Sequence, residues 1–335
     1  MSGRTILVTG GAGYIGSHVC AALAERGHRP VAYDSLVTGN RWAVQWGPLV
    51  EGDIRDAAAL DAALAAHRPA AVVHCAALSE IGEAHRRVHD YFDVNVAGTL
   101  SLLRAMQRAG VEELVFSSSA SVYGESDGRP LAEDRTPRPT NPYGATKLQG
   151  EELIRSLSRW SALRGVALRY FNAAGAHPEA VIGEAHEPET HLVPRILRAA
   201  LSDGPVSVDV YGSDYDTPDG TCVRDFVHVA DLGRAHVAAL DHLAAGGEGA
   251  TLNIGLGAGF SVREVIAAAE RVTGRRIDVV ARPRRPGDPA VLVADAGRAA
   301  GLLGFEPGFR DIEAIIETAW RWHRHYHAAP VRSAS

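Results

Sequence analysis

The first sixteen residues constrain this chain more than any other stretch, because they run strand, glycine turn and helix without a break. Thr5–Thr9 (T-I-L-V-T) is an apolar, β-branched run, and Gly10-Gly11-Ala12-Gly13-Tyr14-Ile15-Gly16 follows at once. Ile15, Val19 and Leu23 then recur at four-residue spacing, and Gly27 closes the pattern as a C-terminal helix cap. A helix that starts this way points its unsatisfied N–H groups past the end of the strand, where they favour an anion. Gly10 permits the tight turn, Gly13 lets backbone approach a pyrophosphate, and Gly16 lets helix pack on strand. Residues 30–34 form a second strand ending in Asp34, 18 residues after Gly16. An acid there accepts from both hydroxyls of an adenosine ribose and repels a 2'-phosphate, so NAD is expected rather than NADP. Gly10, Gly13, Tyr14, Ile15, Gly16 and Asp34 are the first cofactor-binding candidates.

Strand and helix patterns go on alternating. Residues 49–54 end in Asp53 and Ile54, with Asp53 placed to reach an adenine amino group; its competing role is to cap a helix over 57–66. Residues 70–74 read as a buried parallel strand, and Cys75, Ala76 and Ala77 follow it with side chains small enough for a cofactor to lie close. Cys75 reads as a packing residue rather than a nucleophile. A helix over 91–109 carries Asn95 at the end that faces the site. Leu114-Val115-Phe116 then empties into Ser117-Ser118-Ser119-Ala120-Ser121-Val122-Tyr123-Gly124. Ligands of an open parallel sheet bind beyond the carboxyl ends of its strands, which puts these serines at the site.

Asn141-Pro142-Tyr143-Gly144-Ala145-Thr146-Lys147 follows, 24 residues separating Ser119 from Tyr143. Asn141 fits a helix N-cap and Pro142 the first helical position, so Tyr143 and Lys147 share one face a turn apart. An ordinary phenol, with a pKa near 10, is ionised to roughly one part in a thousand at neutral pH. A nearby ammonium, the positive helix end and a cationic nicotinamide each favour the phenolate. Bringing the phenol from a pKa near 10 to about 7 takes roughly 4 kcal/mol of preference for the anion. Hydroxyl, phenol and ammonium can then converge on one reacting oxygen, with the phenolate taking a proton from a sugar or alcohol.

Composition excludes several other classes. With 335 residues, 46% hydrophobic and 22% charged, the chain can bury a sizeable core, and a net charge of −6 offers no basic field for nucleic acid. No apolar run reaches membrane-spanning length, and the N-terminus has no signal-peptide pattern. Three scattered cysteines, Cys20, Cys75 and Cys222, fit a reducing cytoplasm and give neither a disulfide framework nor a zinc motif. No metal site is expected. The acidic loop 214–220 has Pro218 at a calcium-ligand position, and His323, His325 and His327 read as a terminal helix end.

These motifs together resemble the extended short-chain dehydrogenase/reductase family and, within it, the UDP-galactose (UDP-glucose) 4-epimerases. The resemblance covers about residues 5–310. Its more specific marks are Leu168-Arg169-Tyr170-Phe171-Asn172-Ala173-Ala174-Gly175-Ala176-His177, Asp219-Gly220-Thr221-Cys222-Val223-Arg224-Asp225-Phe226-Val227-His228-Val229 and Arg284-Arg285-Pro286-Gly287-Asp288. It implies that Tyr143 is the catalytic base and acid, with Ser119 beside the sugar 4-hydroxyl and Lys147 on the nicotinamide ribose. It also places Asp53, Ile54, Cys75, Ala76, Ala77, Asn95, Ser117 and Tyr170 around NAD. For a UDP-sugar it implies diphosphate contacts from Asn172, Arg224 and Arg285, packing by Tyr211 at the uracil, and Asp288 on the uridine ribose. His191, Leu192 and Leu292 complete the substrate set.

Two positions depart from the family pattern: Ser79 stands where some members have lysine, and His191 where some have asparagine. Dehydratases of the superfamily carry an Asp-Glu pair where this chain has Ala120 and Ser121, and glucuronate-specific relatives an arginine where it has His177. The expected activity is therefore reversible 4-epimerisation of UDP-glucose and UDP-galactose. The alternatives are the N-acetylhexosamine nucleotides, which Leu292 would gate, and, more remotely, a non-catalytic NAD-sensing protein.

The expected architecture is a Rossmann-like doubly wound parallel sheet of residues 1–172, with 224–255 packing back on it. A smaller α/β C-terminal substrate domain takes 173–223 and 256–335. Further helices are expected over 192–201, 229–243, 261–272 and 311–322. A homodimer is implied by the resemblance, through helices over 91–109 and 147–163, with Leu100, Leu103, Met106, Leu153, Leu157 and Trp160 as its surface.

Overall fold

Seven strands line up in parallel in the computed structural model, which describes residues 3–202, 204–285 and 288–328. They include β1 (Thr5–Thr9), β2 (Arg29–Asp34), β3 (Leu49–Glu51), β4 (Ala71–His74), β5 (Glu113–Ser119) and β6 (Arg164–Tyr170). The seventh, Ala250–Ile254, pairs with β6 at one edge, and the order continues β5, β4, β1, β2, β3. The winding direction reverses between β1 and β4, the crevice where doubly wound sheets bind ligands.

Both faces of the sheet are covered, which explains why its strands read as continuous apolar runs. Alternate residues of β1 go opposite ways. Ile6 and Val8 join α1 (Tyr14–Glu25) and the helix Val229–Ala244 in a core that includes Val19, Leu23, Leu232 and Leu240. Leu7 joins Leu60 of α2 (Ala57–His67), Leu102 and Met106 of the helix Thr99–Ala109, and Ile154 of the helix Pro142–Trp160.

The cap of α2 is Asp56, whose carboxylate accepts from the amides of Ala58 and Ala59 at 2.9 and 3.1 Å. Asp53 is not that cap; it faces Arg55 at 2.6 Å. The helix expected over 91–109 starts earlier, at Val88–Phe92, and passes through a π-helical turn at Asp93–Gly98 before Thr99–Ala109. Such wide turns recur at functional sites. Leu103 and Met106 are buried against the sheet, so they do not belong to the expected dimer surface; Trp160 is 80% exposed.

A second core joins Ile196 and Leu197 of the helix Leu192–Ala200 to Val208 and Val210 of the strand Val206–Tyr211. Val265 and Ile266 of the helix Val262–Thr273 and Ile315 and Ile316 of the helix Ile312–Ala328 complete it. Ser261 and Glu264 form a capping box at the start of Val262–Thr273. Pro286 and Gly287 of the R-R-P-G-D run lie outside the described residues. Among the described residues no helix is long and apolar enough to cross a membrane.

Candidate active site

A cavity of about 1040 Å³ opens past the carboxyl ends of β1, β2, β4 and β5 and runs toward the second core. That is the upper end of the roughly 300–1,000 Å³ usual for one small ligand. Its walls hold every site residue expected from sequence except Asn95. Asn95 is buried behind the wall: its amide donates to Leu78 O at 2.9 Å and to Thr146 Oγ1 at 3.0 Å, and accepts from Leu78 N at 2.8 Å. It fastens the loop after β4 to the helix that carries Tyr143, and the π-helical turn brings it there.

The turn after β1 divides its labour among three glycines. Gly10 has φ +71°, and a Cβ there would sit 2.6 Å from Ala76 N; at Gly16 it would sit 2.0 Å from Gly10 O. At Gly13 the only neighbour is Gly10 O at 3.3 Å, so that face is open to the cavity. Asp34 is held by its backbone neighbours, accepting from Ala12 N at 2.9 Å and Leu36 N at 2.8 Å. Burial raises its pKa and the two amides oppose that. An oriented carboxylate, a side-chain-free path and a helix N-terminus fit the ribose and pyrophosphate of a dinucleotide. Cys75 lies against this path with its thiol pushed up to about 12 by burial, the behaviour of a packing residue.

Farther along the same wall stand Ser119, Tyr143 and Lys147. Asn141 caps the helix by accepting from Gly144 N at 2.8 Å, with Pro142 at its first position, as the sequence predicts. Burial pushes the Tyr143 phenol up to about 12, opposed by the Ser119 hydroxyl. Lys147 Nζ lies 5.8 Å from the Tyr143 ring centroid and donates to Ser117 O at 2.8 Å. Burial also pushes Lys147 down to about 8.

A lysine whose folded pKa lies below its ordinary 10.5 costs stability while charged, in full below pH 8 and not at all above 10.5. The difference in unfolding midpoint between wild type and Lys147→Met is therefore expected to move in favour of wild type as pH rises from 8 to 10.5. Thermal scans of the unliganded proteins across that window check it; a pH-independent difference would contradict it.

The sequence motifs contain Ser118, Tyr123, Arg169 and Tyr170 without showing that a network joins them beneath this centre. Arg169 of β6 holds buried Glu151 through two bonds of 2.9 and 2.7 Å and donates to Tyr123 Oη at 2.9 Å. Ser118 donates to the same Glu151. His74 is buried between Thr9 Oγ1 at 2.7 Å and Thr99 Oγ1 at 2.9 Å, and burial lowers its pKa to about 3, so it stays neutral. Tyr170 pairs with His236 Nε2; His236 Nδ1, 2.8 Å from Leu232 O, carries the proton, so the Tyr170 hydroxyl is the donor.

At the far end the Arg285 guanidinium lies 4.0 Å over the Tyr211 ring, and Arg224 pairs with Asp288. Asn172 and Leu292 complete that wall. His191 lines the cavity, but its Nδ1 is drawn to Glu184 at 2.7 Å. His177 is packed behind α1 near His18 and Trp46 and does not reach the cavity.

A parallel sheet wound in this order, with a glycine cradle, an acid after β2 and Y-x-x-x-K at one cavity, defines a dinucleotide-dependent class. The chain matches the NAD dependent epimerase/dehydratase family over residues 6–255 and belongs to it. It is similar to a UDP-glucose 4-epimerase of Rhizobium leguminosarum bv. trifolii, 49% identical over 323 residues, 96% of this chain and 98% of that one. Among solved structures it is similar to UDP-glucose 4-epimerase from Brucella ovis in complex with NAD: 46% identity, TM-score 0.92, covering 95% and 98% of the two chains. The enzyme from Stenotrophomonas maltophila, with bound NAD and formylated UDP-arabinopyranose, matches at 43% identity and TM-score 0.94, covering 98% and 100%.

Proposed function

We propose that this chain is an NAD-dependent UDP-glucose 4-epimerase, interconverting UDP-glucose and UDP-galactose through a 4-keto sugar. The observation that carries this reading is the convergence of Ser119, Tyr143 and Lys147 with Tyr211, Arg224, Arg285 and Asp288 on one cavity that also contains the glycine cradle. Supporting it are relatives of that name matching at nearly full length.

When bound, NAD supplies the hydride acceptor at carbon 4 and a positive ring near Tyr143. The chain does the rest. Arg224 and Arg285 hold the sugar diphosphate, a role suited to forked guanidinium donors. The Tyr211 ring and Asp288 hold the uridine. Ser119 orients the 4-hydroxyl, and Tyr143 takes its proton and later returns one to the same oxygen, as carbon 4 recovers its hydride on the opposite face. Between those steps the keto sugar turns over about its diphosphate anchor. The charged contacts grip the diphosphate and uridine, while small Ala120 and Ser121 line the same cavity next to Ser119. Neither can serve as the acid or base that elimination or decarboxylation needs, which disfavours those outcomes. Residues 1–172 with 224–255 act as the cofactor half, 173–223 and 256–335 as the substrate half. We retain the homodimer as a proposal, with exposed Trp160 and part-buried Leu100, Leu153 and Leu157 as its remaining apolar surface.

The test is incubation with UDP-galactose and, separately, UDP-N-acetylgalactosamine, without added NAD, following the anomeric protons by NMR. Conversion of UDP-galactose to UDP-glucose is expected; no conversion even with NAD supplied would overturn the proposal. Leu292→Tyr is expected to lower the N-acetyl rate relative to the hexose rate at least tenfold, and Leu292→Ala to raise it. An unchanged ratio in both would remove Leu292 as the gate.

A further inference from the structure

We propose that Glu184, His186, Glu189 and His191 form a binding site for one divalent transition-metal ion of the zinc class in the cavity wall beside Tyr14. One donor atom from each residue lies within 4.8 Å of every other, the only such group of three or more among the described residues. Glu184 Oε1 stands 2.7 Å from His191 Nδ1 and 3.1 Å from His186 Nδ1. Glu189 reaches His191 Nδ1 at 3.4 Å with Oε1 and His186 Nδ1 at 4.0 Å with Oε2. Donors around a tetrahedral ion with bonds of about 2.0–2.1 Å are roughly 3.4 Å apart, and the 2.7, 3.1 and 4.0 Å separations among Glu184 Oε1, the two Nδ1 atoms and Glu189 Oε2 bracket that spacing.

A second observation points to a ligand. His186 Nδ1 and Glu189 Oε2 are buried with no hydrogen bond of workable geometry. The other oxygen of Glu189 accepts from the amides of Thr190 and His191, each at 2.9 Å, which fixes the carboxylate with Oε2 turned inward. The side chains of Glu184 and Glu189 are only 6% and 4% exposed. Two buried carboxylates at the wall of a cavity built for phosphates demand positive charge. One cation would satisfy all four donors, the two unpartnered atoms included. Two imidazole nitrogens with two carboxylates select zinc, cobalt, iron or manganese over calcium and magnesium, which prefer oxygen alone. Four protein ligands make the site closed and structural. Tyr14, whose pKa is raised by burial and by Glu184 and Glu189, packs edge-on to His186 with ring centres 6.4 Å apart, so the ion would pin this loop to the start of α1.

The full-length protein, stripped with EDTA and dialysed, is titrated with Zn²⁺ against a chromophoric chelator and, separately, with Co²⁺ alone. The expected result is one equivalent of either ion, an intense tetrahedral cobalt band, and a zinc-dependent rise in unfolding midpoint. Glu189→Gln, which keeps an oxygen for the two amides, and His186→Ala should each weaken binding at least tenfold. Circular dichroism of both variants separates ligand loss from misfolding. Binding no tighter than that of the Glu184→Gln/His186→Ala protein would overturn the site. So would binding that survives in the cluster variants and disappears in His325→Ala/His327→Ala, which assigns an adventitious ion to the terminal helix.

Discussion

Tyr143→Phe is expected to lower kcat by roughly 10²–10⁴, the range for losing a positioned acid-base group, with UDP and NAD affinities changed less than about threefold. The phenylalanine keeps the ring that lines the cavity and loses only the proton carrier. The size of the effect follows from how the base is made. Burial leaves the phenol of the unliganded protein at about 12. Bringing it down to neutrality takes roughly 7 kcal/mol. The Lys147 ammonium and the positive nicotinamide ring each favour the phenolate. Initial rates with UDP-galactose and calorimetric titration with UDP check the prediction. Near-normal turnover would remove Tyr143 as the base.

Arg169→Leu is expected to destabilise the protein by about 3–5 kcal/mol, because it strands the Glu151 carboxylate, which is 3% exposed, without its partner. That is a large share of a typical total of about 5–15 kcal/mol. Tyr123 Oη loses a donor as well, although it keeps its 2.7 Å bond to Asn253 Oδ1. The damage should spread to chemistry, since Ser118 and the Tyr143 helix both hang on Glu151. Replacing both partners, Glu151→Met with Arg169→Leu, should recover much of the stability, because the cost lies in the unpaired charge rather than the lost attraction. Denaturant midpoints for the single and double variants decide it; a single variant as stable as wild type would show the pair to be dispensable.

What can be read from sequence is what lies within a few consecutive residues. Gly10 to Gly16, Asp34 and Tyr143 with Lys147 each complete their function locally, and each stands at the cavity wall. Arg169 and Glu151 meet across a helix and a strand, and no local pattern announces that a charge pair will be buried. Asn95 sits on the expected element, one layer behind the cavity wall, in a π-helical turn that periodicity does not reveal. Charges around Tyr143 are visible in the sequence, while the depth at which it is buried is not. Leu103 and Met106 are consumed by the sheet, since an apolar helix face does not say which neighbour covers it. Glu184-x-His186-x-x-Glu189-x-His191 is present as a spacing, but it lies in a loop whose path only the fold reveals.

The central claim is that carbon 4 of the sugar gives up its hydrogen and recovers that same hydrogen while the nucleotide stays anchored. Conversion of UDP-galactose deuterated at carbon 4, followed by NMR in ordinary water, tests it most directly. The account predicts UDP-glucose that keeps its deuterium at carbon 4. Product carrying solvent hydrogen there would contradict it.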